Sequence, residues 1–240
     1  MTSFRGKISG EQGFGCTKQE AKKEGGMKME DIIQISHAVK KFGKATVLQD
    51  VSLDVKKGSI CGIVGRNGSG KTVLFKAVCG FHDLTSGKII VKGKQVGKDV
   101  DIPEGIGSII ETPGFLGNFS GYRNLKYLAD IRGLIGKEEI YQVMEQVGLD
   151  PKSRKHVGKY SLGMRQRLGL AQAFMEGQDI LVLDEPMNGL DNQGVSDMRK
   201  LFLELKAQGK TILMASHNRE DIEKLCDEVY EMDAGILERV

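Results

Sequence analysis

The sequence predicts an α/β fold: a mostly parallel core sheet, an N-terminal antiparallel β subdomain, and an inserted helical subdomain. Three observations carry this. After residue 179 strand-like and helix-like segments alternate, which implies parallel strands joined by right-handed helical crossovers. Residues 47–55 partly alternate apolar with polar, as a half-buried antiparallel strand does. Between about 120 and 177 the apolar spacing becomes helical, at 121–132, 137–147 and 162–176.

In chain order, Ile32-Ile33-Gln34-Ile35 reads as a strand. Residues 47–55 form the next, and Lys56-Lys57-Gly58 turns the chain. Ser59-Ile60-Cys61-Gly62-Ile63-Val64 is nearly all apolar, as expected of a strand buried on both faces. A helix over 73–79 and strands at 87–96 and 105–110 follow. The helical region comes next, expected as an insertion over about 112–177. The remainder reads as strand 179–183, helix 193–207, strand 210–215, helix 219–225 and strand 227–232. No internal repeat is present.

Composition limits the function. The 240 residues are 40% hydrophobic and 28% charged, ordinary for a globular chain with a real core. No apolar run approaches the ~18–20 residues that span a bilayer, which excludes a channel or membrane-spanning receptor. The net charge of +3 lies entirely in residues 1–28, which hold six Lys/Arg against three Asp/Glu; residues 29–240 hold 29 of each. A neutral body does not favour nucleic acid as a partner. Residues 1–28 also carry six glycines and no sustained period. They are expected to be a disordered leader, with Met27 or Met29 a candidate natural start and 29–240 the folded domain. No signal core opens the chain. Cys16, Cys61, Cys79 and Cys226 lack metal-ligand spacing and read as thiols, with Cys61 and Cys79 expected in buried elements.

Gly65-Arg66-Asn67-Gly68-Ser69-Gly70-Lys71-Thr72 fits GxxxxGK[ST] between a buried strand and an apolar helix. Glycines bring backbone N–H groups close to phosphate oxygens, and the helix N-terminus adds partial positive charge. Lys71 is placed to reach the β- and γ-phosphates, and Thr72 to ligate Mg²⁺. Asp179-Ile180-Leu181-Val182-Leu183-Asp184-Glu185 is an apolar strand ending in two carboxylates. Asp184 lies where ligands bind in open parallel sheets and can hold the magnesium hydration shell. Glu185, on the other side of the pleat, can polarise a water, which points to hydrolysis. Ser161, opening the helix at 162, is either a plain N-cap or an anion contact. His217 follows an apolar strand and is either a cap or a donor to the γ-phosphate. Phe42 suits either the core or an exposed platform.

Tyr160-Ser161-Leu162-Gly163-Met164-Arg165 resembles a divergent form of the LSGGQ signature of ATP-binding cassette proteins, with the Ser and second Gly kept. Asn188-Gly189-Leu190-Asp191 looks like the D-loop of that family, His217 like its switch histidine, and Phe42 like the aromatic that stacks on adenine. The resemblance covers about residues 32–238 and implies a P-loop NTPase fold. One departure is Glu111, which holds the position of the family's Q-loop glutamine. That Glu and the SLGMRQR stretch are similar to the ATPase subunits of bacitracin and lantibiotic exporters.

The resemblance implies an ATPase working as a head-to-tail dimer, with a second copy or a close relative. ATP on one chain would meet Ser161 and Gly163 of the other, and Asp191 would link the two sites. Lys71, Glu185 and His217 would be catalytic, with Mg²⁺ on Thr72 and Asp184. The work would be done on a transmembrane permease on a separate chain, at the cytoplasmic face of the membrane. Residues 111–135 would receive the permease, with Pro113, Phe115 and Phe119 either contacting it or packing the core. The alternatives are an ATPase of the same superfamily acting on ribosomes or DNA, disfavoured by the single cassette, and a P-loop kinase or GTPase, disfavoured by Glu185 and the absence of an NKxD-type motif.

Overall fold

A computed structural model describes residues 30–240. The expected leader over 1–28, with Cys16, lies outside the described residues. Two sheets organise the chain. The first is antiparallel: β1 (Asp31–Phe42) pairs with β2 (Ala45–Lys56) and with β4 (Ser86–Val91), which pairs with β5 (Lys94–Gln95). The second holds β3 (Ile60–Val64), β6 (Ile106–Ile109), β7 (Ile180–Asp184), β8 (Thr211–Ser216), β9 (Glu228–Asp233) and β10 (Ile236–Arg239), in the order β10-β9-β3-β8-β7-β6. All its neighbours are parallel except the β9–β10 hairpin.

The central strands are buried on both faces, and their period of two divides them between two cores. Ile60, Leu181, Leu183, Ile212 and Met214 face one side. There they meet α4 (Leu162–Phe174), α5 (Asn192–Ala207) and α6 (Arg219–Leu225), and the same core continues into α2 (Gly121–Arg132) and α3 (Lys137–Gln146). Cys61, Ile63, Ile180, Val182, Leu213 and Ala215 face the other side. There α1 (Lys71–Val78) fills the space between the parallel strands and the antiparallel sheet. Helices α2, α3 and α4 all come between β6 and β7 in the chain.

Three elements differ from the sequence expectation. The strand read over 32–35 continues to Phe42, through a bulge at His37 (φ 52°) that faces another at Asp50 (φ 58°). The strand read over 87–96 is a hairpin that reverses at Lys92 (φ 50°) and Gly93 (φ 78°); two successive positive φ angles are what a type I′ turn requires. The short edge strand β10 was not anticipated. The buried thiols hold: burial pushes the Cys79 thiol up to about 12, and Cys61, also buried, rises for the same reason.

Strand β6 lies almost on the backbone of α4. A Cβ at Gly107 would come 1.6 Å from the carbonyl oxygen of Ala173, so only glycine permits this approach. Gly107→Ala therefore forces sheet and helix apart. Overpacking of this kind costs about 1–3 kcal/mol or more, which is a fall of roughly 3–10 °C in Tm for a domain of this size. Thermal unfolding of the variant measures it, and an unchanged Tm would show that the approach is looser than described.

Candidate functional site

Parallel register sets the site. Val64 pairs with Ser216, Asp184 with Ala215, and Ile109 with Leu183. The residues just past these strand ends are Gly65, His217, Glu185 and Ile110-Glu111, so they line one edge of the sheet. The alternation that points Val182 at α1 also points Asp184 there, and Thr72 Oγ1 donates to Asp184 Oδ2 at 2.5 Å.

The phosphate loop wraps the N-terminus of α1. Gly70, its N-cap, has φ 117° and no side-chain cap, so the first N–H groups of the helix have no side-chain acceptor there. Lys71 is 5% exposed, and its ammonium donates to the carbonyls of Gly65 (2.6 Å) and Arg66 (3.0 Å). The loop leans on the β9–β10 turn. Gly235 N–H donates to the Ser69 carbonyl, and Gln49 N–H on β2 donates to the Gly235 carbonyl, both at 2.8 Å. A Cβ at Gly65 would come 2.3 Å from the Met232 carbonyl oxygen. Val47, Asn67, Gly68, Gly70, Lys71, Thr72, Val73, Asp184 and Glu185 line a cleft of about 390 Å³.

Glu185 adopts φ 51°, a strained region for a side chain with a Cβ, at about 1–3 kcal/mol. Its N–H is fixed on the Ala215 carbonyl at 2.9 Å. His217 Nδ1 lies 2.8 Å from Glu185 Oε2, while Oε1 is buried and makes no hydrogen bond. Ser69 Oγ is likewise buried without a protein partner. Orphaned buried polar atoms are rare and expensive, and here both lie in the segments that form the cleft. Thr72 and Asp184 offer adjacent oxygens, the donor type Mg²⁺ prefers. No group of three or more His, Cys, Asp or Glu able to hold a metal occurs among the described residues.

The remaining predicted residues lie elsewhere. Ser161 caps α4 by accepting from Met164 N–H at 3.2 Å, and Asp191 caps α5 by accepting from Gly194 N–H at 2.8 Å. These two caps touch: a Cβ at Gly163 would come 3.0 Å from the Gly189 carbonyl oxygen, and one at Gly189 would come 2.4 Å from Leu162 Cδ2. Neither Ser161, Gly163 nor Asp191 lines the cleft. Phe42 is 46% exposed, edge-on to His82 at 5.5 Å, with Lys40 over its ring. Glu111 stands across a second cavity from Asp184 and Glu185 and pairs with Lys76. Pro113 packs on Gly169, Phe115 borders the core, and Phe119 stacks on Tyr127. Sequence reading missed Gln166, a buried amide on α4 that donates to the Glu185 (3.2 Å) and Pro186 (3.0 Å) carbonyls. Its signal was a polar residue on an apolar helix face.

Known proteins share this arrangement. Residues 48–188 match the family model described as ABC transporter. The chain is 42% identical to the uncharacterised ABC transporter ATP-binding protein YybJ of Bacillus subtilis (strain 168), covering 86% of this chain and 95% of that one. It is 40% identical to the bacitracin transport ATP-binding protein BcrA of Enterococcus faecalis, over 88% and 69%. It is 36% identical to the lantibiotic transport ATP-binding protein SrtF of Streptococcus pyogenes, over 82% and 84%. Among solved structures, the ADP conformation of MJ1267, an ATP-binding cassette of an ABC transporter, superposes with a TM-score of 0.75 at 25% identity, over 87% of this chain and 90% of that one.

Gln166 is the support under Glu185. Gln166→Met keeps the volume but leaves the buried Pro186 carbonyl without its donor. The expected loss is about 1–3 kcal/mol, read as a lower urea midpoint at unchanged slope. An unchanged midpoint would remove Gln166 from this role.

Proposed function

This chain belongs to the ABC transporter family, as an ATP-binding and ATP-hydrolysing subunit, and from that we infer that it powers export of an antimicrobial peptide or similar compound. One observation carries the catalytic reading: Lys71, Thr72, Asp184 and Glu185 line one cleft from two strand ends, and His217, past a third, contacts Glu185. No helix among the described residues is long and apolar enough to cross a membrane. In this reading the spans belong to a separate permease, which would hold this subunit at the cytoplasmic face of the membrane. Nucleic acid is not expected as a partner. Residues 29–240 form the ATPase domain in this reading, with a helical subdomain over about 112–177.

The triphosphate lies along the glycine-rich loop, met by the backbone of Gly65, Asn67, Gly68, Ser69 and Gly70. The Lys71 ammonium exchanges its two carbonyl acceptors for phosphate oxygens. Thr72 and Asp184 would hold Mg²⁺, which would neutralise phosphate charge when bound. Phe42 offers its ring to adenine. Glu185 Oε1, free of partners, accepts the proton of the attacking water while His217 keeps Oε2 in place. The water oxygen bonds to the γ-phosphorus as the bond to the β–γ bridging oxygen breaks, releasing ADP and phosphate. His217 Nε2 remains available to the γ-phosphate. These groups act by position and charge rather than by covalent chemistry.

Ser161 and Gly163 do not line their own cleft, and they lie at a helix N-terminus suited to an anion. In a head-to-tail pair they would meet the partner's ATP, with Asp191 beside them at the junction. Residues 111–135 would receive the permease. Their exposed large apolar side chains are Leu116, Tyr127, Ile131 and Leu134, whereas Pro113, Phe115 and Phe119 serve packing.

Two measurements test this reading. Lys71→Ala is expected to weaken ATP binding about tenfold or more and to abolish turnover, whereas Glu185→Gln should bind ATP, lose hydrolysis by a factor of about 10² or more, and accumulate as a closed dimer. Tight ATP binding by the first, or near-normal hydrolysis by the second, would overturn the assignments. Purification from detergent-solubilised cells should recover a multi-spanning membrane protein in stoichiometric amount; ribosomes or DNA in its place would overturn the transporter reading and leave the ATPase intact.

A further inference from the structure

The loop that begins at Glu111 is tied at both ends. At its start, Lys76 Nζ donates to Glu111 Oε1 at 2.7 Å. Lys76 lies on α1, the helix that opens with Lys71 and Thr72. At its far end the loop pairs with the segment that leads into Ser161. Val157 N–H donates to the Phe119 carbonyl at 2.8 Å, and Gly158 N–H to the Gly117 carbonyl at 2.9 Å. Ser120 bridges His156, and the Tyr160 phenol packs beside Gly121. Direct contacts therefore run from α1, through Glu111 and its loop, to the N-terminus of α4.

Glu111 is held under strain, at φ 63°. Glu111, Thr112 and Pro113 line a cavity of about 210 Å³ together with Asp184, Glu185 and Arg165. Glu111 thus brings a third carboxylate to a space that already holds two like charges, with Arg165 the one cation in the lining. Lys76 is the cation that pairs with it from α1, and among the described residues neither partner makes another ion pair. The side chains are 24% and 63% exposed. Such a pair is individually weak and screened by salt, so it can open within a catalytic cycle.

We propose that Lys76 is a positioning residue for ATP hydrolysis. It neutralises the Glu111 carboxylate, which borders the cavity that Asp184 and Glu185 also line, and by that grip it sets the loop over 111–120 and the approach to Ser161. The proposal rests on the reading of the cleft as the ATP site. It depends on the charge of Glu111, because an amide at that position would need no cation to restrain it.

The test compares Lys76→Met, Glu111→Gln and the double variant in the full chain. Lys76→Met should lower kcat about fivefold to tenfold with little change in KM for ATP, and adding Glu111→Gln should recover most of that loss. In nucleotide-free protein, amide hydrogen exchange over 111–120 and 156–160 should quicken in Lys76→Met relative to the wild type. Wild-type turnover and protection in Lys76→Met would overturn the proposal. So would a double variant as slow as Lys76→Met, since a lysine that merely stabilised α1 would not be rescued by removing a distant charge. If the wild-type chain hydrolyses no ATP, the reading of the cleft fails, and the exchange comparison alone then supports or overturns the tie between Lys76 and the loop.

Discussion

The parallel register of β3, β8 and β7 is the constraint on which the site depends. These strands are buried on both faces, so their side chains alternate between two cores. A slip of one residue would exchange those cores entirely. It would also turn Asp184 away from Thr72 and carry Glu185 away from His217. The apolar side chains that stabilise the sheet therefore also fix the catalytic geometry. No separate device is needed to bring a phosphate loop, two carboxylates and an imidazole together from positions spread over some 150 residues of chain.

Against that rigid edge the site holds several unfavourable features. Lys71 is buried on two carbonyl oxygens, Glu185 has a positive φ, and Ser69 Oγ and Glu185 Oε1 lack partners. Each costs free energy in the isolated chain. Their concentration around one cleft is what a binding site preorganised for a charged ligand looks like. Gln166 and the Glu185–Ala215 backbone bond are the supports that hold the strained carboxylate in place.

The chemistry was more legible in the sequence than the contacts around it. Lys71, Thr72, Asp184 and Glu185 could be read because phosphate binding needs particular atoms at a strand end, and spacing alone puts them there. His217 was legible only through the shared sheet edge. Phe42 stayed open, since burial cannot be read from one aromatic beside a glycine; the structure leaves it half exposed. Lys76 and Glu111 are 35 residues apart, and a helix-surface lysine reads as solvated until the fold supplies its partner. The hairpin at Lys92-Gly93 was missed because one glycine within an apolar run is a faint turn signal. Strand β10, four residues with two charges, earns its place only through tertiary contacts.

The bond between Gly235 and the Ser69 carbonyl has a consequence for the newborn chain. The phosphate loop leaves the ribosome well before the β9–β10 turn that braces it. Until Met232 and Gly235 emerge, the loop has neither the wall beside Gly65 nor the backbone bond at Ser69. Translation order thus places the bracing of the phosphate loop after the synthesis of that hairpin, whatever the speed at which the loop itself emerges.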